Sequence, residues 1–276
     1  MSQNPLQKYF RQPKLTVPLP SKGLFAPPDA ISGDPSNLEV YAMTGMDEII
    51  LKTPDSLFTG ESTVRVIQSC CPGIKDAWHV SAIDLDHILM SIRIATYGNL
   101  MTVEHTCGNC GTENEYDIDL RPLIDHFDRS EYKNSVQVHE LTIKIRPLFY
   151  QEMTKFNLEN FKIQKRLMAA AQDFDNAENQ KIINDSYREI ADLQNDMFLK
   201  SIESVTAPDT IVTDQKFIEE WVKNSEADLF DGIRKLIEDN KKAWKIPSVG
   251  VQCSNCGTPA ELEITMDQAN FFVKKS

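Results

Sequence analysis

The sequence predicts an α+β protein that is mainly helical and has a small antiparallel, zinc-ribbon-like strand region built from two CxxC knuckles. Three observations support this fold class. Long stretches place apolar residues every three or four positions, as amphipathic helices do. Short stretches of alternating apolar and polar residues flank two cysteine-rich turns. These two turns share one local frame, CGNCGT and CSNCGT.

The chain has 276 residues, which is enough for one large domain or two modest ones. We interpret residues 1–36 as an extended, proline-rich N-terminal arm. Residues 37–148 and 246–276 form an α+β body that carries the zinc ribbon, and residues 149–245 form a helical insertion. The insertion separates the two CxxC motifs, so its ends must return to one place.

The arm is predicted from its prolines, which remove amide donors and break both helices and ladders. Apolar residues lie between these prolines, which favours an arm that docks on a neighbouring subunit, although a flexible tail fits the same composition. The residues concerned are Pro5, Pro13, Pro18, Pro20, Pro27, Pro28 and Pro35, with Leu15, Val17, Leu19, Leu24 and Phe25 among them.

The first half of the body is predicted to be compact. Residues 38–43 read as a short strand, and Thr44 followed by Asp47 is typical of a helix start. Helical spacing continues over residues 63–71 and 84–97, with Asp84 as the cap of the second helix and Asp86 in its first turn. Gly98 is expected to end that helix.

Strand-like alternation follows over residues 101–120, 136–145 and 249–266. The stretch 150–244 between them is predicted to be helical, as an αα-hairpin or small bundle. We expect a break near Pro208 and new helix starts at Asp214 and near Glu226.

The cysteine motifs predict a metal site. Cys107 and Cys110 form one CxxC pair, and Cys253 and Cys256 form the other. Two thiolates three residues apart can bind one ion when the turn allows both to face it, and the Gly after each second cysteine permits such a turn. Four sulfurs complete the tetrahedral shell of Zn²⁺ and leave no open position, so the predicted zinc is structural.

Other uses of these cysteines remain open at this stage. An iron–sulfur cluster also accepts four thiolates, and unpaired or redox-active cysteines are a further alternative. Redox CxxC motifs open a helix, whereas alternating, strand-like residues flank these two motifs.

No other motif indicates catalysis. Cys70 or Cys71 could act as a nucleophile with His79 or His87 as the base, but free cysteines at the end of an apolar helix are usually buried small hydrophobes. The sequence contains no GxSxG, Walker, GxGxxG or HExxH motif. We therefore expect a protein without enzymatic activity and without a small-molecule substrate.

The charge balance excludes some partners. There are 29 Lys and Arg against 41 Asp and Glu, which gives a net charge of −12 and no bulk attraction to nucleic acid or anionic lipid. No apolar run reaches the roughly 18 residues of a membrane span, and the beginning of the sequence lacks the apolar stretch of a signal peptide. A cytoplasmic or otherwise reducing compartment is expected.

Several stretches resemble a known family. They are LPSKGLF, YAMTGMDEIIL, the Cys70 region, IDLDHILMSIRIATYGN and VEHTCGNCGTENEYDIDL, together roughly residues 19–123. In them the chain resembles the baseplate hub assembly proteins of T4-like contractile-tailed bacteriophages, most specifically at MTGMDEIIL and over residues 83–98.

The resemblance implies a non-enzymatic role in building the phage tail, either as a hub component or as a hub assembly factor. The implied partners are other tail baseplate proteins. The implied location is the host cytoplasm during assembly, and the virion tail baseplate if the protein stays in the particle. The helical hairpin and residues 19–25 are the expected contact regions.

A zinc-ribbon adaptor that binds nucleic acid or takes part in transcription is the alternative function, because ribbon knuckles often serve that purpose. A local basic face could support it despite the acidic whole. Its candidate residues are Lys241, Lys242, Lys245, Lys274 and Lys275.

Overall fold

The computed structural model describes residues 4–53, 59–173, 176–265, 271 and 272. The chain forms two compact units: unit 1 contains Met1–Ser130 and Trp244–Ser276, and unit 2 contains Glu131–Ala243. The described residues contain eight α-helices and only small antiparallel sheets, which confirms the helix-rich α+β class. No helix among them is long and apolar enough to cross a membrane.

Unit 1 begins with a two-stranded antiparallel sheet of β1 (Pro13–Val17) and β2 (Leu38–Tyr41). Between the strands Leu19 is buried, and its N–H donates to the carbonyl of Pro35 at 2.8 Å. In this part of residues 1–36, which the sequence predicts to be an extended arm, the chain folds onto its own unit. Proline tolerates this arrangement because a two-stranded sheet leaves each strand one unpaired edge.

The described residues of unit 1 then form four helices: α1 (Gly45–Leu51), α2 (Glu61–Cys70), α3 (Ala82–Tyr97) and α4 (Arg121–Arg129). The predicted start of α1 is confirmed, since the Thr44 hydroxyl accepts from the Asp47 N–H while the Asp47 carboxylate accepts from the Thr44 N–H. The predicted end of α3 is confirmed too, because Gly98 follows it with φ of 88°.

The start of α3 differs from the prediction. Ser81 is the N-cap residue, and Asp84 lies inside the first turn, which moves Asp86 beyond it. The buried Asp84 carboxylate accepts from the N–H and hydroxyl of Ser21 at 2.8 and 2.6 Å, and from the Ser81 hydroxyl at 2.6 Å. Asp84 thus joins the N-terminal segment to α3, a role that cap preferences alone do not predict.

Two further hairpins lie in unit 1. Strands β3 (Leu100–Thr106) and β4 (Glu113–Asp119) pair antiparallel, as do β9 (Val249–Gln252) and β10 (Pro259–Leu262). The returning segment also packs by its aromatic residues, since Trp244 stacks on Phe127 with ring centroids 6.3 Å apart. The core of unit 1 is thus shared between the two ends of the chain.

Unit 2 contains a four-stranded antiparallel sheet in the order β5 (Ser135–Val138), β6 (Leu141–Ile145), β7 (Ile202–Ala207) and β8 (Thr210–Val212). The prediction placed residues 136–145 in the body and made residues 202–207 helical. Both differ from the structure because β6 pairs with β7, which moves the boundary of unit 2 to Glu131 and its end to Ala243.

In the described part of unit 2 there are four helices: α5 (Tyr150–Ala170), α6 (Ala177–Ser201), α7 (Gln215–Lys223) and α8 (Ala227–Ala243). Helices α5 and α6 pack against each other as the expected hairpin. The predicted start at Asp214 is confirmed, since its side chain accepts from the Lys216 N–H. The fully buried residues Ile143, Ile145, Ile202 and Ile233 give unit 2 a core of its own.

His87 in α3 is a buried residue that we expect to lower the stability of unit 1. Its side chain is fully buried, and neither ring nitrogen has a hydrogen-bond partner among the described residues. Burial lowers the pKa of His87 to about 4. The ring is therefore neutral in the folded protein near neutral pH, although Asp128 Oδ1 lies 3.4 Å from Nε2.

The variant His87→Leu should be more stable than the wild type, by about 1 kcal/mol at pH 7, because it removes two unpaired buried nitrogens. The advantage should grow by about 2 kcal/mol at pH 5, since there the unfolded histidine binds a proton that the folded one does not. Burial raises the pKa of Asp86 to about 6, an effect of opposite sign that both proteins share. Urea unfolding at several pH values measures the difference, and parallel pH profiles would contradict it.

Candidate metal centre

Both CxxC motifs occupy the turns of hairpins in unit 1. The last pair of the first hairpin is Thr106 with Glu113, and that of the second is Gln252 with Pro259. The intervening residues, 107–112 and 253–258, are the two cysteine knuckles. The internal repeat seen in the sequence therefore has the same position in both hairpins.

The backbone of the two knuckles is the same. In the first, the Cys107 N–H donates to the Thr112 carbonyl and the Gly111 N–H donates to the Cys107 carbonyl, each at 2.9 Å. Gly111 has φ of 72° and Gly257 has φ of 70°, in the left-handed region that favours glycine. An added Cβ at either glycine would meet nothing within 4 Å, so the backbone conformation and not crowding requires glycine.

The four predicted ligand atoms lie together. The Sγ atoms of Cys107, Cys110, Cys253 and Cys256 are all within 4.8 Å of one another. Cys107 and Cys256 are 3.7 Å apart, as are Cys110 and Cys253, too far for a disulfide of about 2.05 Å. Tetrahedral Zn²⁺ with Zn–S bonds of about 2.3 Å places its sulfurs about 3.8 Å apart, so the cluster has the size of a tetrathiolate site.

Two asparagines connect each knuckle to the other. Asn109 Nδ2 donates to Cys256 Sγ at 3.7 Å, and Asn255 Nδ2 donates to Cys110 Sγ at 3.8 Å. The repeat is thus approximately two-fold symmetric, and each asparagine contacts a sulfur of the opposite motif. Hydrogen bonds from such amides disperse the negative charge that gathers on thiolates.

A comparison with protein families now identifies the relatives of the chain. The model of a family described as T4 bacteriophage base plate protein matches residues 37–273. The chain belongs to this baseplate family. A search of curated proteins and a search of solved structures found no match. The family match extends well beyond the resemblance over residues 19–123 and includes both knuckles and all of unit 2.

In this baseplate protein the two exposed cysteines have neighbours that favour their thiolate forms. The Thr258 hydroxyl lies 3.2 Å from Cys256 Sγ, and hydrogen bonding to Thr258 lowers the pKa of Cys256 to about 5. Thr112 lies at the same distance from Cys110 and lowers the pKa of that thiol. Because metals bind the thiolate, contacts that lower the pKa of these two thiols favour the binding of an ion.

One contact breaks the symmetry. The buried Asn114 donates from Nδ2 to Cys253 Sγ at 3.6 Å and to the Thr112 carbonyl at 2.9 Å. Its Oδ1 accepts from the N–H and the hydroxyl of Ser254 at 2.9 and 2.7 Å. Ala260 occupies the equivalent position of the second repeat. Asn114 was not predicted, and the difference between the repeats at this position is the feature that could have found it.

The other cysteines lie in a different environment. Cys70 and Cys71 are fully buried, and burial raises the pKa of Cys70 to about 12 and that of Cys71 further. Their thiols are therefore protonated at neutral pH, in agreement with a packing role. His79 Nδ1 lies 2.6 Å from an Asp76 carboxylate oxygen, and His87 is inside the core.

The asymmetry predicts unequal effects of two asparagine substitutions. Asn114→Ala should lower the free energy of unfolding by about 2 kcal/mol, because it removes the acceptor of the Ser254 N–H and hydroxyl and the donor to the Thr112 carbonyl. Asn109→Ala is the matched control at an exposed amide and should cost less than about 1 kcal/mol. Urea unfolding of both variants, as purified, measures the two values. Equal losses would show that Asn114 does not support the cluster.

Proposed function

We propose that this chain is a structural or assembly protein of a contractile phage tail baseplate, as a hub component or a hub assembly factor, and that it acts through protein contacts without catalysis. Membership of the baseplate family over residues 37–273 is the observation that carries this proposal. The partners are other baseplate proteins. The protein works in the host cytoplasm during assembly, and as a hub component it would remain in the virion tail.

A structural Zn²⁺ held by Cys107, Cys110, Cys253 and Cys256 is part of the proposal. Its support is the closeness of the four sulfurs, which all lie within 4.8 Å of one another, and the all-thiolate donor set, which zinc favours in closed sites. Such an ion has no open position for water or substrate. It would fasten the two parts of unit 1, which come from opposite ends of the chain.

The nucleic-acid adaptor gains no support from the described residues. Lys245 forms an ion pair with Glu263 at 2.9 Å, which neutralises part of the proposed basic face. Lys274 and Lys275 lie outside the described residues. We expect flat retention of the protein on immobilised duplex and single-stranded DNA from low to high salt, whereas salt-dependent retention would favour the adaptor.

The zinc proposal predicts one zinc per chain in protein purified without chelator. Cys107→Ser should abolish stoichiometric zinc and lower the melting temperature, because a structural zinc contributes folding free energy of about 10 kcal/mol in small peptides. Cys70→Ala is the control, since it removes a buried thiol outside the cluster and should keep one zinc.

Elemental analysis and thiol titration provide the measurement. Chelation should expose four thiols, while Cys70 and Cys71 should need denaturant as well. If the purified protein is brown and contains iron, the four cysteines hold an iron–sulfur cluster and not zinc. Full thermal stability of the Cys107→Ser variant would show that the cluster is not structural.

The baseplate role predicts a defect in phage that lack this chain. Such phage should make no complete baseplates, and supplying the wild-type chain in the host should restore them. Electron microscopy of infected-cell lysates measures the defect, and mass spectrometry of purified virions separates the two roles. Presence in the virion identifies a hub component, and absence identifies an assembly factor. Normal tails without the chain would contradict both.

A further inference from the structure

The two cysteine knuckles are related by approximate two-fold symmetry, but an asparagine side chain packs beside only one of them. On this filled side, Asn114 Oδ1 accepts from the Ser254 N–H at 2.9 Å, and Asn114 Nδ2 donates to Cys253 Sγ at 3.6 Å. One buried side-chain amide thus contacts both the backbone and a sulfur of the second knuckle.

A pocket lies beside the other knuckle. Gly108 and Ala260 both line it, and they occupy the positions equivalent to Ser254 and Asn114 of the filled side. Both positions carry a smaller side chain than their equivalents, so neither an amide nor a hydroxyl extends into the space. This knuckle pocket has a volume of about 320 Å³, within the roughly 300 to 1,000 Å³ of ligand sites.

The polar groups that Asn114 contacts on the filled side have counterparts in the knuckle pocket. Within the part of the chain that the structure describes, the Gly108 N–H has no hydrogen-bond acceptor. Cys107, whose sulfur is the counterpart of Cys253 Sγ, also lines the pocket, and no described side-chain amide donates to it. A ligand that offers an acceptor to the Gly108 N–H and a donor to Cys107 Sγ would therefore complete the symmetry.

A primary carboxamide fits these two groups better than a carboxylate does. The carboxamide carries an acceptor oxygen and a donor nitrogen side by side, as the Asn114 side chain does. A carboxylate could accept from the Gly108 N–H, but at neutral pH it has no hydrogen to donate, and its charge repels the thiolates of the cluster. The net charge of −12 on the whole chain acts in the same direction.

The rim of the knuckle pocket carries two rings that the filled side lacks. His105 and Tyr116 line the pocket, whereas the equivalent residues of the second repeat are Val251 and Leu262. The Tyr116 hydroxyl donates to the Gln252 carbonyl at 3.0 Å, which links the ring to the second hairpin. Planar side chains with a polar end can contact the peptide backbone on either side of an inserted side chain.

We propose that the knuckle pocket binds the primary amide of an asparagine or glutamine side chain that belongs to another protein. The amide oxygen accepts from the Gly108 N–H, and the amide nitrogen donates to Cys107 Sγ. Two hydrogen bonds alone give an affinity on the order of 10 mM or weaker, so stable binding needs the further contacts of a protein chain. The proposal requires the fold of the two knuckles but neither the baseplate role nor a particular metal.

NMR titration of the full chain, as purified, tests the proposal with the probe N-acetyl-asparagine methylamide. The Gly108 N–H resonance is assigned with the variant Gly108→Ala, where an added Cβ meets nothing within 4 Å. The probe should shift this resonance saturably, and the corresponding aspartate compound at pH 7 should bind at least about tenfold more weakly. Free asparagine is the second arm and should also bind more weakly, because its own carboxylate comes close to the thiolates.

Ala260→Asn should fill the knuckle pocket from within the chain, as Asn114 fills the other side. The Gly108 N–H should then be shifted downfield without any probe, and the probe should no longer bind. Ala260→Leu is the matched control, since it fills the same space without a hydrogen-bonding group and should block the probe without the downfield shift. Both variants should keep the metal content of the wild type, which separates loss of the pocket from loss of the cysteine cluster.

Asn114→Ala tests the symmetry in the opposite direction, because it opens the filled side. The Ser254 N–H should then respond to the probe as the Gly108 N–H does in the wild type. A wild-type Gly108 N–H that does not respond would overturn the proposal, and so would equal binding of the asparagine and aspartate compounds. Free asparagine that binds as tightly as the probe would make a small amide the ligand and overturn the protein source. None of these outcomes bears on the baseplate role.

Discussion

The contact between the two cysteine knuckles brings together segments of unit 1 from opposite ends of the chain. The β3–β4 and β9–β10 hairpins are each isolated two-stranded sheets, and an isolated hairpin is marginal in water. Their knuckles contact each other through the cysteine thiols and through Asn109, Asn255 and Asn114. Each hairpin therefore gains stability from the other, and a bound ion would join the two knuckles directly through their thiolates. The end of the chain is thereby tied to its first half.

Local patterns predicted the parts of the fold that depend on near neighbours. The capping box of Thr44 and Asp47, the glycine at position 98 and the cap at Asp214 all act within a few residues, and the structure confirms them. The helix prediction for residues 202–207 differs from the structure because Ile202 and Val205 fit a helical spacing as well as a strand. Their partner strand, β6, is distant in sequence. Tertiary pairing decided between the two patterns.

The cysteine cluster could be predicted because a repeated CxxC is a specific pattern, and the family match was anticipated from longer stretches of sequence. Asn114 was missed because the prediction used only the positions at which the repeats agree, whereas position 114 differs from its equivalent, Ala260. The contacts of the N-terminal segment could not be predicted, for a different reason. Its prolines exclude a central strand but permit the edge positions of β1, and the Arg11 and Asp84 contacts that hold it involve residues far apart in sequence.

Because the chain forms two units, the cysteine knuckles and the helical hairpin belong to different parts of the protein. Unit 2 has its own core of isoleucines, whereas in unit 1 the cysteine knuckles of two hairpins contact each other. The α5–α6 hairpin, which the sequence predicts to contact partners, lies in unit 2 and contains none of the cysteines. Substitutions on this hairpin should therefore alter partner contacts without disturbing the knuckles.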